Sequence, residues 1–361
     1  MKKVLLISSR VMHYRVSIYN YFARRFRECG WELLVRSNEL QKENPYPLKF
    51  DFMQMNFGFH RYKKEIERVD PDIVIMFVHL KDLTIWPLVH WLKFNKIPVV
   101  FWMKAKNYDN PNSIISHLLY KYMHNICDGL IIYSEHEREH ISKRNRYKVF
   151  AANNTINFED YPNITESRED IKRELDIPFE KVVLSVGRMG AGGGRKKLDH
   201  LIALFNGDMP EGIGLVVVGS GVSSELLDKR NKKNIIYFGQ VHDPKNLQIS
   251  KIFKMADVFS VPGHVGLGLN QAFYWGLPVV TEDGSQPPEI NYLINGRNGF
   301  IVPNNDLRDL KEKILYLLTE DLAREEFSKN AKEDILKHAS IENMFNGFRK
   351  CVLTLTTSTA T

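Results

Sequence analysis

Residues 262–280 read PGHVGLGLNQAFYWGLPVV. The stretch begins as a glycine-rich turn, continues as mostly apolar sequence of helical length, and ends in a Val-Val pair that starts a strand. It contains no Asp or Glu. A glycine-rich turn that opens a helix presents backbone N–H groups to an anion. The stretch therefore predicts a strand-turn-helix unit that binds an anion without a carboxylate of its own.

Apolar runs of strand type alternate with helical segments on both sides of this stretch. This alternation is typical of βαβ units and parallel sheets, so the fold class is α/β. The tail is expected to be helical at 306–319, 321–338 and 342–353. The predicted strands are 3–9, 31–37, 72–78, 98–103 and 129–134, followed by 181–187, 214–220, 234–240, 257–263, 278–283 and 299–303.

The strand pattern restarts after a polar stretch at residues 153–170. A chain of 361 residues is also longer than one hydrophobic core usually supports. We therefore expect two Rossmann-like domains, residues 1–160 and 170–338, joined by the linker 153–170, with a ligand cleft between them. The last helix, about 342–361, is expected to pack back on the first domain.

The net charge of +7 is unevenly distributed. Residues 1–150 hold 25 Lys and Arg against 15 Asp and Glu, whereas the rest hold 25 against 28. A basic domain favours nucleic acid, an anionic membrane surface or a phosphorylated substrate, and a solvated surface explains the charge equally well. No nucleic-acid-binding motif supports the first option. The basic aromatic segments 24–31, 60–68 and 90–96 are candidates for contact with anionic lipid.

The sequence shows no sign of membrane insertion or secretion. Only a short apolar run precedes Ser8-Ser9-Arg10, which is too short for a signal peptide, and no uncharged run of about 18 apolar residues follows. The three cysteines are not spaced as a metal or redox pair. We expect a cytoplasmic protein, with the inner face of the cell membrane as a candidate docking surface.

A second glycine-rich stretch, SVGRMGAGGGRKKLDHLIALF, spans residues 185–205. It places Arg188 after a strand, and Arg195, Lys196 and Lys197 at the expected start of a helix. Cations at that position oppose the helix dipole. A phosphate or diphosphate bound by Arg188 and Lys196 would relieve the repulsion. Taken alone, the stretch is explained equally well by a solvated basic patch.

Taken together, the second-half motifs resemble the donor-binding domain of the retaining, nucleotide-sugar-dependent glycosyltransferases of family 4. That family has the GT-B architecture of two facing Rossmann-like domains. The resemblance covers about residues 181–305, and the PG-x-VGL turn is similar to a variant in bacterial surface-polysaccharide glycosyltransferases. The matching motifs are Val186-Gly187-Arg188, Lys196 with Leu201-Ile202, Val217-Val218-Gly219-Ser220-Gly221, Phe238-Gly239, Ala256-Asp257-Val258, Gly276-Leu277-Pro278-Val279-Val280, Pro288-Glu289, Asn298-Gly299 and Val302-Pro303.

The resemblance implies that Arg188 and Lys196 bind the donor diphosphate and stabilise its developing charge during catalysis. It gives Glu289 a structural role near a helix start, with direct contact to the ligand as the alternative. The other donor-binding residues it implies are Gly187, the backbone of Phe238, Gly239, Gln240 and Val241 at the nucleobase, the turn Gly263, His264, Val265, Gly266 and Leu267 near the diphosphate and sugar, and Gln271.

Two positions depart from the family pattern. The family's pair of glutamates, eight positions apart, falls here on Gly263 and Gln271. The amide of Gln271 can still bond the ribose hydroxyls. Gly263 cannot contact the donor sugar, so His264 or a main-chain amide replaces the acid, or the donor sugar differs from the usual hexoses.

The absence of an acid fits the retaining reaction that the resemblance implies. Attack on the face from which the diphosphate departs lets a donor phosphate oxygen take the acceptor proton, so no protein base is required. What the protein must supply is preorganised positive charge and amides. No Asp-x-Asp motif is present to hold a metal ion, and we expect neither a metal nor another cofactor.

Basic side chains also follow the first-half strands. An anionic group of the acceptor, such as a pyrophosphate, is one interpretation, and helix capping with local packing is the other. Lys104 stands where the family places a histidine near the donor sugar. The candidate acceptor or cleft residues are Arg10, His13, Tyr14, Arg15, His79 and Lys104.

The expected function is transfer of a sugar from a UDP- or GDP-linked donor to a lipid-linked or growing surface glycan, with retention of configuration. A UDP-sugar 2-epimerase of the same architecture is an alternative, although it would need carboxylates in the donor domain that this turn lacks. A non-catalytic nucleotide-sugar-binding protein would explain the loss of both glutamates. A dinucleotide-dependent dehydrogenase is disfavoured, because Val218-Gly219-Ser220-Gly221 lacks the rest of the dinucleotide fingerprint.

Overall fold

The chain folds into two compact units, here called the first and second domains. The computed structural model describes residues 1–42, 44–77, 82–228, 230, 233–241 and 243–357. The first domain contains Met1–Asn157 together with the stretch from Ser340 to Thr357, and the second contains Phe158–Ala339. None of the described helices is both long enough and apolar enough to span a membrane.

The described residues of the first domain form a parallel sheet of seven strands, in the order β3-β2-β1-β4-β5-β6-β7. Alternate residues of β1 face opposite sides, so that Val4 and Leu6 belong to one apolar core and Leu5 and Ile7 to the other. The elements are β1 (Lys2–Val11), α1 (His13–Glu28), β2 (Trp31–Leu40), β3 (Asp51–Gln54), α2 (Phe59–Val69), β4 (Ile73–Phe77), α3 (Ile85–Phe94), β5 (Val99–Trp102), α4 (Ile114–Ile126), β6 (Gly129–Ile132) and β7 (Val149–Ala151).

The described residues of the second domain form a parallel sheet of six strands, in the order β10-β9-β8-β11-β12-β13. All eleven predicted strands are present across the two sheets, and β3 and β7 are additional. The elements are α5 (Arg168–Glu174), β8 (Lys181–Val186), α6 (Leu198–Asn206), β9 (Ile213–Val218), α7 (Ser224–Asp228), β10 (Ile235–Gly239), α8 (Leu247–Met255), β11 (Val258–Ser260), α9 (Leu267–Tyr274), β12 (Val279–Glu282), β13 (Gly299–Val302), α10 (Leu307–Thr319) and α11 (Asp321–His338).

The last helix, α12 (Ile341–Thr357), belongs to the first domain. Its aromatic residues pack on the sheet and on α1: the Phe345 ring lies 5.0 Å from that of Phe26, and the Phe348 ring lies 4.9 Å from that of Trp102. Gly129 of β6 leaves room for this helix, since a Cβ there would lie 2.9 Å from the side chain of Leu355. Burial of these rings therefore anchors the end of the chain to the first sheet.

Candidate functional site

Two loops meet at the carboxyl ends of β8 and β11 in the second domain. The first loop continues as a 3₁₀ helix, Ala191–Lys196, and the second is the turn that precedes α9. Backbone hydrogen bonds join them: the amide of Gly263 donates to the Lys196 carbonyl at 3.0 Å, and the amide of His264 donates to the Arg195 carbonyl at 2.7 Å. The two glycine-rich stretches of the sequence thus form one continuous structure at a sheet edge, where α/β proteins bind their ligands.

Lys196 ties the two loops together through its side chain. Its ammonium donates to the carbonyl oxygens of His264 and Val265, at 2.5 and 2.9 Å. These partners are neutral, and burial lowers the pKa of Lys196 to about 8, although the charge of Glu289 raises it in part. The side chain lies across Gly187, where a Cβ would stand 3.0 Å from its Cε atom. Lys196 bonds no carboxylate of the described residues, and a poorly solvated cation of this kind is well suited to an incoming anion.

Arg188 supplies a second positive charge at this edge. It follows β8 directly and its side chain is exposed. Within the part of the chain that the structure describes, the guanidinium forms no hydrogen bond or ion pair. Its planar donors therefore remain available for a phosphate.

The expected cluster of three cations in the first turn of α6 needs correction. The helix begins at Leu198, after Lys197, whose own backbone is left-handed with φ 52°. The Lys197 ammonium lies 2.6 Å from Glu282, a residue with no exposed surface, and His200 bonds the other carboxylate oxygen at 2.5 Å. Burial opposes ionisation of Glu282, but bonds from Lys197, the Asn305 amide and His200 outweigh it and lower its pKa. A protein carboxylate, and not a bound anion, therefore neutralises Lys197.

Gly263 has a steric explanation that the sequence did not reveal. A Cβ at this position would stand 1.9 Å from the carbonyl oxygen of Arg195, which is far inside van der Waals contact. Any side chain here would force the two loops apart. The position that carries a glutamate in the resembled family is thus occupied by the neighbouring main chain.

Gln286 holds the turn from the other side, and the sequence analysis missed it. Its side-chain amide nitrogen donates to the carbonyl of Gly263 at 2.8 Å, and its oxygen accepts from the amide of Val265 at 3.0 Å. Thr281, at the end of β12, is fully buried and donates to the Val261 carbonyl at 2.7 Å. A glutamine after a buried strand carries no sequence signal for such a role, because Gly263, the partner of Gln286, lies 23 positions away in the chain.

Gln271 lies on α9, and this helix forms one side of an aromatic cluster. Its amide nitrogen donates to the hydroxyl of Tyr161 at 2.6 Å. Tyr274, one turn later, stacks on Phe158 with ring centroids 4.3 Å apart and an interplanar angle of 4°. The segment that begins the second domain therefore contacts the helix on which a ribose ligand was expected, and Tyr161 uses one of the donors of Gln271.

The expected nucleobase segment, Phe238 to Val241, covers the end of β10 and the turn after it. Gly239 has φ 70°, and its carbonyl accepts from the amide of Gly219 at 2.7 Å. A Cβ on Gly239 would meet no atom of the described residues within 4 Å. Phe238 and Val241 pack partly against the core, whereas Gln240 is exposed.

In the first domain, three of the expected acceptor residues contact side chains of the same domain. Arg10 makes two hydrogen bonds to Glu39, at 2.8 and 2.7 Å, and the His13 ring nitrogen Nδ1 lies 3.0 Å from the Gln41 side-chain oxygen. Arg15 is 4% exposed. Its guanidinium lies 4.1 Å from the Trp102 ring centroid and 5.5 Å from that of Tyr14.

Lys104 and His79 complete the predicted set. Lys104 follows β5 and is half-buried, and its ammonium lies 5.8 Å from the Tyr108 ring centroid. His79 lies outside the described residues.

A protein-family model matches most of the second domain. Residues 167–334 match the model of the family described as Glycosyl transferases group 1. A poly(ribitol-phosphate) alpha-N-acetylglucosaminyltransferase of Staphylococcus aureus (strain COL) is 22% identical over 228 residues. That alignment covers 61% of this chain and 43% of the relative. The chain spans about half the length of the curated relatives it matches.

Solved structures extend the similarity to the whole chain. A glycosyltransferase from Rickettsia africae ESF-5 has a TM-score of 0.75 at 14% identity, and the match covers 98% of both chains. HepE from Anabaena, solved in complex with UDP, has a TM-score of 0.77 at 13% identity, covering 98% of this chain and 100% of HepE. The predicted GT-B fold class is therefore confirmed, with two domains of parallel sheet, and the second domain carries the sequence pattern of the group 1 glycosyltransferases.

Proposed function

We propose that this protein is a retaining glycosyltransferase that moves a sugar from a UDP- or GDP-linked donor to a surface glycan or a lipid-linked acceptor. One observation carries the proposal. Lys196, a poorly solvated ammonium bonded to two carbonyls, and Arg188, an exposed guanidinium that bonds none of the described residues, lie at the same sheet edge of a segment that matches the group 1 family. Such a pair of cations suits a diphosphate.

The two cations would act on the donor in different ways. The Lys196 ammonium would exchange its bonds to the His264 and Val265 carbonyls for the diphosphate, which adds the counter-charge that its partners lack. Arg188 would bind from the exposed side with its planar donors. Both would stabilise the negative charge that grows on the diphosphate as the glycosidic bond breaks.

The absence of a carboxylate at Gly263 favours a reaction without a protein base. Attack on the same face as the departing diphosphate lets a phosphate oxygen accept the proton of the acceptor hydroxyl. The turn would hold the sugar through main-chain groups, since the Arg195 carbonyl occupies the space of any side chain at Gly263. Gln286 fixes that turn, so its geometry is set before the donor arrives.

Two further observations bear on which nucleobase the donor carries and which acceptor is used. HepE was solved with UDP, which makes UDP-sugars the first donors to test. The S. aureus relative is named for poly(ribitol-phosphate), a polyanion, and residues 1–150 carry an excess of basic side chains. An anionic acceptor therefore suits the first domain.

The stereochemistry of donor breakdown tests the proposal. We expect slow hydrolysis of an α-linked UDP- or GDP-sugar to release the α-anomer first, as followed by proton NMR before mutarotation. Initial release of the β-anomer would contradict retention. Inversion at C2 of the sugar would indicate the epimerase, and nucleotide binding with no breakdown in the presence of any glycan fraction would indicate a binding protein.

A further inference from the structure

Helix α4 of the first domain exposes an apolar stripe. Ile114, Ile115 and Leu118 are 77%, 81% and 58% exposed, and Tyr122 is 41% exposed. Residues four apart share a helix face, so Ile114, Leu118 and Tyr122 form a continuous stripe. The helix buries only Met123 and His124. A surface helix normally turns its apolar face towards the core, so this stripe needs another explanation.

Helix α3 extends the apolar surface. The hydroxyl of Tyr122 lies 2.7 Å from the Nε2 atom of His90, and its ring lies 5.9 Å from that of Trp86. Phe94, at the end of α3, is 87% exposed and follows Trp86 and His90 at the four-residue spacing. Aromatic side chains beside an apolar stripe are typical of proteins that rest at a membrane interface.

A basic cavity of about 570 Å³ adjoins the other edge of the stripe. Its cations come from three segments of the first domain, for example Lys106 before α4, Lys121 on α4, and Lys143 after β6. Glu139 is the one acidic residue among the described residues of the lining. Positive charge therefore dominates the cavity, and an anionic group would be favoured there.

A buried histidine belongs to the lining of the cavity. His124 is 5% exposed, and its Nε2 atom is buried with no hydrogen-bond partner in the described part of the chain. Burial, together with the charges of Lys148 and His117, lowers the pKa of His124 to about 4, so the ring is neutral at neutral pH. The positive charge of the cavity therefore comes from its Lys and Arg side chains, and not from this histidine.

We propose that α4 docks the first domain on an anionic phospholipid surface, with its apolar stripe at the level of the upper acyl chains and a lipid phosphate in the adjoining basic cavity. A free phosphate would leave the exposed stripe unexplained, and a hydrophobic protein partner would leave the cations unexplained. An amphiphile satisfies both. This surface includes His90 and Phe94, both within the predicted segment 90–96, but not the segments 24–31 and 60–68, and it does not depend on the proposed reaction.

Vesicle sedimentation of the full chain tests the proposal. We expect wild-type protein to sediment with equimolar phosphatidylglycerol and phosphatidylcholine vesicles and much less with phosphatidylcholine alone. The double variant Ile115→Asp, Leu118→Asp should partition onto the anionic vesicles roughly tenfold or more weakly, because two apolar insertions are lost. The double variant Lys121→Glu, Lys143→Glu should have an effect of the same order, since each basic side chain near the surface contributes about a tenfold factor or less.

Matched variants in the second domain provide the controls. The control variants are Leu322→Asp and Lys245→Glu, which leave α4 unchanged. Leu322 is 85% exposed, and Lys245 is also exposed. Their partitioning should equal that of the wild type, and circular dichroism and nucleotide binding should be unchanged in every variant. Equal binding to both vesicle types, or unchanged binding by the α4 variants, would overturn the proposal. A wild-type dimer in analytical ultracentrifugation that Leu118→Asp dissociates would also overturn it, because a second copy would then cover the stripe.

Discussion

Both sheets end in a turn rich in basic residues, and the two turns use their charge differently. In the first domain, Arg10 pairs with Glu39 and Arg15 lies against the Trp102 ring. In the second domain, and among the described residues, Arg188 forms no bond and Lys196 bonds two carbonyl groups. Similar residue types therefore serve local structure in one turn, while in the other they leave positive charge available to a ligand.

The comparison shows why basic residues at a strand end are a weak sign of an anion site. An ion pair formed within the protein neutralises a basic side chain, whereas a basic side chain without such a pair keeps its charge available for binding. Lys197 makes the point within a single stretch of sequence, because it pairs with the buried Glu282 while Lys196, its neighbour, bonds no carboxylate among the described residues. The partner, and not the residue type, distinguishes the two roles.

Alanine substitutions at the two turns should give the largest difference. Lys196→Ala and Arg188→Ala should each lower donor turnover by roughly 100-fold or more, the effect expected when a charge-stabilising donor is lost. Arg10→Ala should change turnover by less than about threefold, because the exposed pair with Glu39 contributes little. Steady-state kinetics with a UDP-sugar would measure all three. Near-normal turnover in both second-domain variants would contradict the diphosphate assignment.

A methyl group at Gly263 should separate the two loops. Because the new Cβ would stand 1.9 Å from the Arg195 carbonyl, Gly263→Ala should destabilise the protein by about 1–3 kcal/mol and weaken nucleotide binding. Thermal unfolding and calorimetry would measure the two effects. Gly207→Ala is the matched control, since a Cβ there meets only ordinary contacts, and a Gly263 variant as stable as this control would refute the close approach.

A smaller effect should appear in the pH dependence of nucleotide affinity. The pKa of Lys196 is about 8 in the free protein, and a bound diphosphate would raise it. Affinity should therefore be constant below that pH and fall by up to about tenfold per pH unit above it, as the free ammonium loses its proton. Calorimetry between about pH 7 and 9 would show this. The Lys196→Arg variant keeps its charge, so its profile should be flat, and a flat wild-type profile would contradict the account.

The sequence determined the fold more completely than the site. Buried parallel strands are continuous apolar runs, such as 181–186, and these were predictable. The strands β3 (Asp51–Gln54) and β7 (Val149–Ala151) were not, because each is a short strand at an edge of the sheet and lacks a long apolar run. The predicted start of α6 was wrong, since no residue type in this stretch indicates the left-handed backbone of Lys197.

Long-range contacts explain what the sequence could not reveal about the site. The Arg195 carbonyl that excludes a side chain at Gly263, and the Gln286 amide that holds the same turn, join segments that are distant in the chain. Motif spacing made Arg188 and Lys196 candidates for the proposed diphosphate site, because each lies directly beside a predicted strand or helix. It could not separate Lys196 from Lys197, whose carboxylate partner is 85 residues away.

Calorimetric titration of UDP and of GDP into the wild-type protein and the Arg188→Ala variant tests the central claim most directly. The account predicts that one of the two nucleotides binds the wild type at a single site with a Kd on the order of micromolar. The variant should bind that nucleotide at least roughly tenfold more weakly, because a charge-assisted hydrogen bond is lost. Absence of binding by both nucleotides, or equal affinity in the two proteins, would contradict it.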